Sequence, residues 1–279
     1  MTIPNRIGDM KKMRPVSLEE LRKIQTEILS VTARFCDEHH IQYWLDGGTL
    51  LGAIRHNGYI PWDDDIDLGM LRPDFDRFIR EFNGYHTQYE VKCVEIDPDF
   101  TYAFAKVLDT RTLLYEPDEN GNRLNINIDV FVYDHAPENP RALRKLFRKR
   151  DFYRNANWWR TFNIKPSGGF AKRLLKMIFL TLLKVFPRNY FAKKEVMNAK
   201  TYYHIDTPRV GNFVGYYPFT CEVDVFDSFV DHVFEGKMYK IPIGYDKWLT
   251  RMYGDYMKLP PVEKRVSHHS FKAYIKDDI

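Results

Sequence analysis

The sequence predicts an α+β fold: a mixed β-sheet core with flanking helices, followed by a basic helical lobe. Three observations carry this. Alternating segments that read as strands outnumber helical ones up to about residue 132. From there to about residue 200 the apolar spacing becomes helical. Charge is also divided sharply: residues 141–200 hold 17 Lys and Arg against 2 Asp and Glu, although the 279-residue chain carries a net charge of only +4. The rest of the chain is therefore acidic. A hydrophobic content of 44% with 15% aromatic residues supports a sizeable core and excludes a largely disordered chain.

The first element is a helix from about Leu18 to His39. Ser17 and Glu20 have capping-box spacing, Val16 can staple onto Leu21, and Leu21, Ile24, Ile28, Val31 and Phe35 make one buried face. IQYWL (Ile41–Leu45) reads as a short strand running into a tight turn at Asp46-Gly47-Gly48. A short helix, TLLGAIRH, follows, then a loop broken by Asn57-Gly58 and Pro61. Asp65–Met70 alternates charged and apolar residues, the period of a strand buried on one face. Pro73–Phe82 reads as a helix, and Tyr89–Ile96, Tyr102–Leu108 and Thr112–Tyr115 as strands. The loop PDENGN leads to a strand over Asn125–Val132. Mixed short elements and a polar tail end the chain. The organisation expected is a core over residues 1–135, a basic, mainly helical lobe over 136–235, and a segment over 236–279 that packs back on the core.

Cys36, Cys93 and Cys221 stand far apart with no CxxC, which argues against a zinc site or a disulfide framework and suits a reducing compartment. The N-terminal residues lack the apolar stretch of a secretory signal. MIFLTLL (177–183), bracketed by lysines, is far shorter than the roughly 20 residues that span a bilayer. The expectation is a soluble, cytoplasmic protein.

The chemistry concentrates in DGGTLLGAIRHNGYIPWDDDIDLG. On a strand, Asp63, Asp65 and Asp67 point to one side while Asp64, Ile66 and Leu68 point to the other. Adjacent carboxylates repel unless a cation lies between them, and Mg²⁺ or Mn²⁺ with oxygen ligands answers that need. Asp129, flanked by apolar residues in NINIDVFVYD, is costly to bury without a partner, so it is a third ligand, a general base for an acceptor hydroxyl, or both. Gly47-Gly48-Thr49 joins a strand to a helix N-terminus 16 positions before Asp63, where backbone N–H groups can approach a phosphate. Arg55, Arg72 and Lys106 are further candidates for phosphate contact. For Arg55 and Arg72 a surface salt bridge is the competing reading, and for His56 packing or hydrogen bonding is favoured. Lys106 is the strongest, because a lysine inside an apolar strand needs a partner. An EF-hand loop does not fit, since its sixth and twelfth positions would be Leu68 and Asp74. A D-x-D sugar transferase using a nucleotide sugar and a non-catalytic metal- or glycan-binding protein remain alternatives.

Together these residues resemble the LicD family of phosphocholine transferases, whose eukaryotic relatives include fukutin-type ribitol-phosphate transferases. Gly47–Met70 carries the likeness, followed in order by LRPDFDRF, KVLDTRT, IDVFVYD and YGDYMKLPP. The likeness covers residues from roughly 20 to 135 and a block at 240–265. It implies a nucleotidyltransferase-like core related to the polymerase-beta group and a divalent metal. It also implies a cytidine-diphosphate-linked donor, most simply CDP-choline, and a hydroxyl of lipopolysaccharide, capsule or teichoic acid as acceptor. In this likeness Asp65 and Asp67 match the paired metal carboxylates, Asp63 the acidic residue before them, Gly47 and Gly48 the phosphate-binding turn, and Asp129 the later acidic position.

The basic segment, with RALRKLFRKR and GFAKRLLKMIFLTLLKVF, admits three roles: contact with the inner face of an anionic membrane near a lipid-linked glycan, an ordinary solvated lobe, or a groove for a polyanionic acceptor. No nucleic-acid-binding motif is present.

Overall fold

The computed structural model describes residues 13–115, 124–161, 169–215, 219–266 and 272–276. In chain order, β1 (Met13–Pro15) precedes α1 (Leu18–Glu38), β2 (Trp44–Leu45), α2 (Gly47–His56), β3 (Asp67–Leu71) and α3 (Arg72–Glu81). Then come β4 (Tyr89–Lys92), β5 (Ala105–Asp109), β6 (Thr112–Tyr115) and β7 (Asn127–His135). The helices α4 (Pro140–Thr161), α5 (Phe170–Leu183) and α6 (Tyr190–Ala199) follow. The last elements are β8 (Arg209–Asn212), β9 (Phe219–Glu222), β10 (Phe229–Phe234), β11 (Lys237–Pro242), α7 (Tyr245–Tyr253) and β12 (Lys272–Lys276).

The architecture is α+β, as the sequence predicts. A mixed sheet in the order β2-β3-β7-β5-β4 is extended by β8, which pairs with β7, and by β9 beyond it. Among the described residues only β3 and β7 pair in parallel in this sheet, and its other pairs are antiparallel. A parallel pair needs a long crossover, and the chain from α3 through β6 supplies it. The helix α1 lies against β5 and β7 and buries Leu21, Ile24, Ile28 and Phe35. Its start is closed as the capping spacing requires, with the Glu20 N–H donating to the Ser17 hydroxyl.

Several element boundaries differ from expectation, among them the strands at Trp44–Leu45, Ala105–Asp109 and Asn127–His135, and four differences have identifiable reasons. The strand expected from Asp65 begins at Asp67, because α1 holds the preceding residues as a loop. Arg22 donates to the carbonyls of Pro61 and Asp63, and Gln25 donates to that of Asp64 at 3.0 Å. The alternation survives: Asp64, Ile66 and Leu68 are buried while Asp63, Asp65 and Asp67 are only partly so. The strand expected over Tyr89–Ile96 stops at Lys92, after which Cys93 turns the chain and its carbonyl accepts from the N–H groups of Ile96 and Asp97. Beyond α6 the chain leaves the helical lobe and returns to the sheet as β8 and β9. The expected polar tail contains β12, which pairs antiparallel with both β1 and β6 and buries Ala273 and Ile275. All three cysteines are buried and free. PDENGN lies outside the described residues.

Candidate active site

Asp67 opens β3 and stands opposite Asp129 of β7 in the parallel register; Asp129 stands opposite Lys106 of β5 in the antiparallel one. A row of charged residues thus crosses three adjacent strands. The Lys106 ammonium donates to Asp129 Oδ1 at 2.5 Å and to Asn127 Oδ1 at 3.1 Å, and lies over the rings of Tyr102 and Phe104. Asp129 is therefore the partner that a lysine in an apolar strand requires.

The start of α2 is fastened to the other side of Asp67. The Asp46 N–H donates to the Asp67 carbonyl at 2.9 Å, and the Asp67 N–H donates to Thr49 Oγ1 at 2.8 Å. Thr49 accordingly braces the acidic strand. Gly47 has φ +52°, and a Cβ there would lie 2.8 Å from Asp67 Oδ2; a Cβ on Gly48 would lie 2.8 Å from Asp63 Oδ2. The two glycines are what allow the carboxylates to approach the helix N-terminus so closely.

Asp63, Asp64 and Asp65 place carboxylate oxygens within 4.8 Å of one another. Burial pushes the Asp67 carboxyl well above the usual range, and the charges of Asp65, Asp129, Asp46 and Asp63 push it further. Asp46, unlike Asp67, is fully buried. Burial raises its pKa to about 6, although the Tyr133 hydroxyl donates to its two oxygens at 3.0 and 2.9 Å, and the Gly47 N–H and Trp44 indole add support. A donor set made of carboxylates, with one ammonium at its edge, suits a hard divalent cation. Among the described residues the acids whose oxygens cluster closely enough to share an ion are Asp63, Asp64 and Asp65, so the cluster takes in Asp64 and leaves Asp67 and Asp129 at its margin.

The remaining basic candidates lie elsewhere. Arg55 donates to His56 Nε2 at 3.0 Å and to the Tyr256 carbonyl at 2.7 Å, tying the end of α2 to the C-terminal segment. Burial and then the Arg55 charge lower the pKa of His56. Arg72 is buried, not a surface residue, and sits at the opposite end of the β3–β7 pair from Asp67. It donates to both Asp134 oxygens at 2.8 and 2.7 Å and to Glu95 at 3.0 Å.

Sequence reasoning did not single out Asp46, Asp64 or Tyr253. Tyr253, at the end of α7, has its phenol pKa raised by burial and then by Asp67, Asp46, Asp63 and Asp65, although its side chain retains 43% exposure. Its motif, YGDYMKLPP, was visible in the sequence; its proximity to the carboxylates was not.

A carboxylate row thus crosses a mixed sheet beside a Gly-Gly turn at a helix N-terminus. Residues 40–134, from the approach to β2 almost to the end of β7, match the family model described as LicD/FKTN/FKRP, nucleotidyltransferase domain. The chain is 31% identical over 271 residues to the lipopolysaccharide cholinephosphotransferase LicD of Haemophilus influenzae, covering 94% of this chain and 100% of that one. It is 42% identical over 60 residues to the human ribitol 5-phosphate transferase FKRP, spanning 22% of this chain and 11% of that one. Against the mouse ribitol-5-phosphate transferase FKTN it is 27% identical over 112 residues, or 40% and 21% of the two chains. The chain belongs to the LicD family, a family of transferases of phosphate-linked groups.

Proposed function

We propose that this protein transfers phosphocholine from CDP-choline to a hydroxyl of a cell-surface glycan of the lipopolysaccharide, capsule or teichoic-acid class, working from the cytoplasm. The observation that carries the reading is the juxtaposition of Asp67 and Asp129 on parallel strands beside the Gly47-Gly48 turn. The full-length likeness to a lipopolysaccharide cholinephosphotransferase supports the choice of phosphocholine.

Asp63, Asp65, Asp67 and Asp129 would hold Mg²⁺ or Mn²⁺. Such a cation neutralises charge on donor phosphates and on the leaving oxygen. The N-terminal turn of α2, with Gly47, Gly48 and Thr49, offers partial positive charge to the donor. The acceptor oxygen forms a bond to the choline-bearing phosphorus as the bond to the bridging oxygen breaks, and cytidine monophosphate leaves. Asp129, oriented by Lys106, receives the hydroxyl proton. Positioning and charge stabilisation supply most of the acceleration.

The test is a panel of CDP-choline, CDP-ethanolamine, CDP-glycerol and CDP-ribitol with Mg²⁺, followed by cytidine monophosphate release. CDP-choline is the expected substrate, with turnover lost on chelation and reduced at least ~100-fold in Asp67→Asn and Asp129→Asn. Absence of turnover and binding with every donor sinks the proposal. Release of a nucleoside diphosphate from a nucleotide sugar would indicate a sugar transferase instead. Full biological activity in Asp65→Ala and Asp67→Ala would indicate a non-catalytic binding protein.

A further inference from the structure

The helix α5 turns most of its surface to solvent. Leu183 is buried, and Leu180 packs with it beside Ala156 and Phe191; these residues anchor the helix to the lobe. Phe170, Leu174, Ile178 and Leu182 recur every fourth residue and form one stripe, and Leu175 and Phe179 form a second beside it. All six are exposed, Phe170 by 85% and Leu175 by 67%. Phe179 meets Trp159 of α4 edge-to-face at 5.6 Å, extending the apolar surface beyond the helix. A contiguous apolar surface of this kind marks a binding face.

We propose that α5 lies flat on an anionic lipid bilayer, with its two apolar stripes in the boundary between headgroups and acyl chains. Charge complementarity identifies the occupant. Lys172, Arg173, Lys176 and Lys184 flank the stripes, and no carboxylate occurs anywhere in α5. The surrounding segment, residues 141–200, has 17 basic residues and only 2 acidic ones. Lipid phosphates offer such a surface a continuous negative plane, and cations beside an apolar face are the composition of interfacial helices. Length sets the orientation. Fourteen residues make a helix of about 21 Å, well short of a hydrocarbon core about 30 Å thick. Among the described residues no helix is long and apolar enough to cross a membrane, so α5 is a surface anchor. This inference does not depend on which group is transferred.

Co-sedimentation of the full chain with vesicles tests it, comparing phosphatidylcholine mixed with phosphatidylglycerol against phosphatidylcholine alone. The chain is expected to sediment with the anionic vesicles and to bind neutral ones at least ~10-fold more weakly, with the difference shrinking at high salt. Leu175→Glu/Ile178→Glu should abolish sedimentation, and Lys172→Gln/Lys176→Gln should weaken it several-fold on anionic vesicles. Circular dichroism establishes that each variant is folded; all four side chains are exposed, so the core is untouched. Because sedimentation does not involve the donor, loss of vesicle binding is distinguishable from failure of the transfer reaction. The proposal is overturned if the folded parent stays in the supernatant with anionic vesicles, if it binds both vesicle types equally, or if Leu175→Glu/Ile178→Glu binds as the parent does. A dimer that the same double variant splits, with no vesicle binding, would assign the face to a second copy of the chain.

Discussion

Asp67 meets three demands at one position: its N–H is held by Thr49, its carbonyl by Asp46, and its carboxylate lies against Gly47 in a crowd of other acids. The two glycines of this turn are not equivalent. At Gly47 an added Cβ would be strained by the positive φ and would meet Asp67, so Gly47→Ala should cost about 1–2 kcal/mol of stability. Gly48 has no such backbone constraint, and its added Cβ would meet only the end of the Asp63 side chain. Gly48→Ala should therefore change stability by less than about 1 kcal/mol while displacing Asp63. If Asp63 belongs to the cation site, its turnover should need more Mg²⁺; denaturant titration and Mg²⁺-dependent kinetics separate the two effects. Unchanged Mg²⁺ dependence in folded Gly48→Ala would remove Asp63 from the site.

At the scale of single elements, α6 carries an ionisable group that the site does not use. Glu195 is buried against the lobe, its Oε1 has no hydrogen-bond partner among the described residues, and burial raises its pKa to about 8 despite the nearby charges of Arg150 and Arg154. The folded chain thus keeps this proton up to about pH 8, while the unfolded chain releases it near its ordinary value of 4.5. Between those limits the folded state binds more protons, so stability falls as pH rises. Glu195→Gln should remove that slope and make the protein roughly 2–4 kcal/mol more stable than the parent at pH 8, with little difference at pH 4.5. Urea titrations at the two pH values check this. Elements of this kind also show what the sequence could express. The capping box of α1 and the burial alternation through Asp63–Leu68 were legible because they are local, repeating patterns. The start of β3 at Asp67 was not, because Arg22 and Gln25 impose it from about 40 positions away. The strand at Lys272–Lys276 was hidden for the same reason: a five-residue segment with lysines at both ends reads as tail until β1 and β6 are seen beside it.

For the whole molecule, composition and periodicity were enough for the α+β class, since these are averages over many residues. The acidic run and the glycine turn were equally plain. The partnership of Lys106 with Asp129, the burial of Arg72 against Asp134 and the approach of Tyr253 to the carboxylates all depend on strand order and on packing between distant segments. The parallel pairing of β3 with β7 has a further, kinetic consequence. Asp67 and Asp129 are 62 positions apart, with β4, β5 and β6 between them in the chain. Loop closure over such a distance is slow, so the two carboxylates meet late in folding. A cation shared by them would grip a contact that the transition state has yet to make. Saturating Mg²⁺ should accordingly slow unfolding in stopped-flow measurements, by about as much as it stabilises the protein, and leave the refolding rate nearly unchanged.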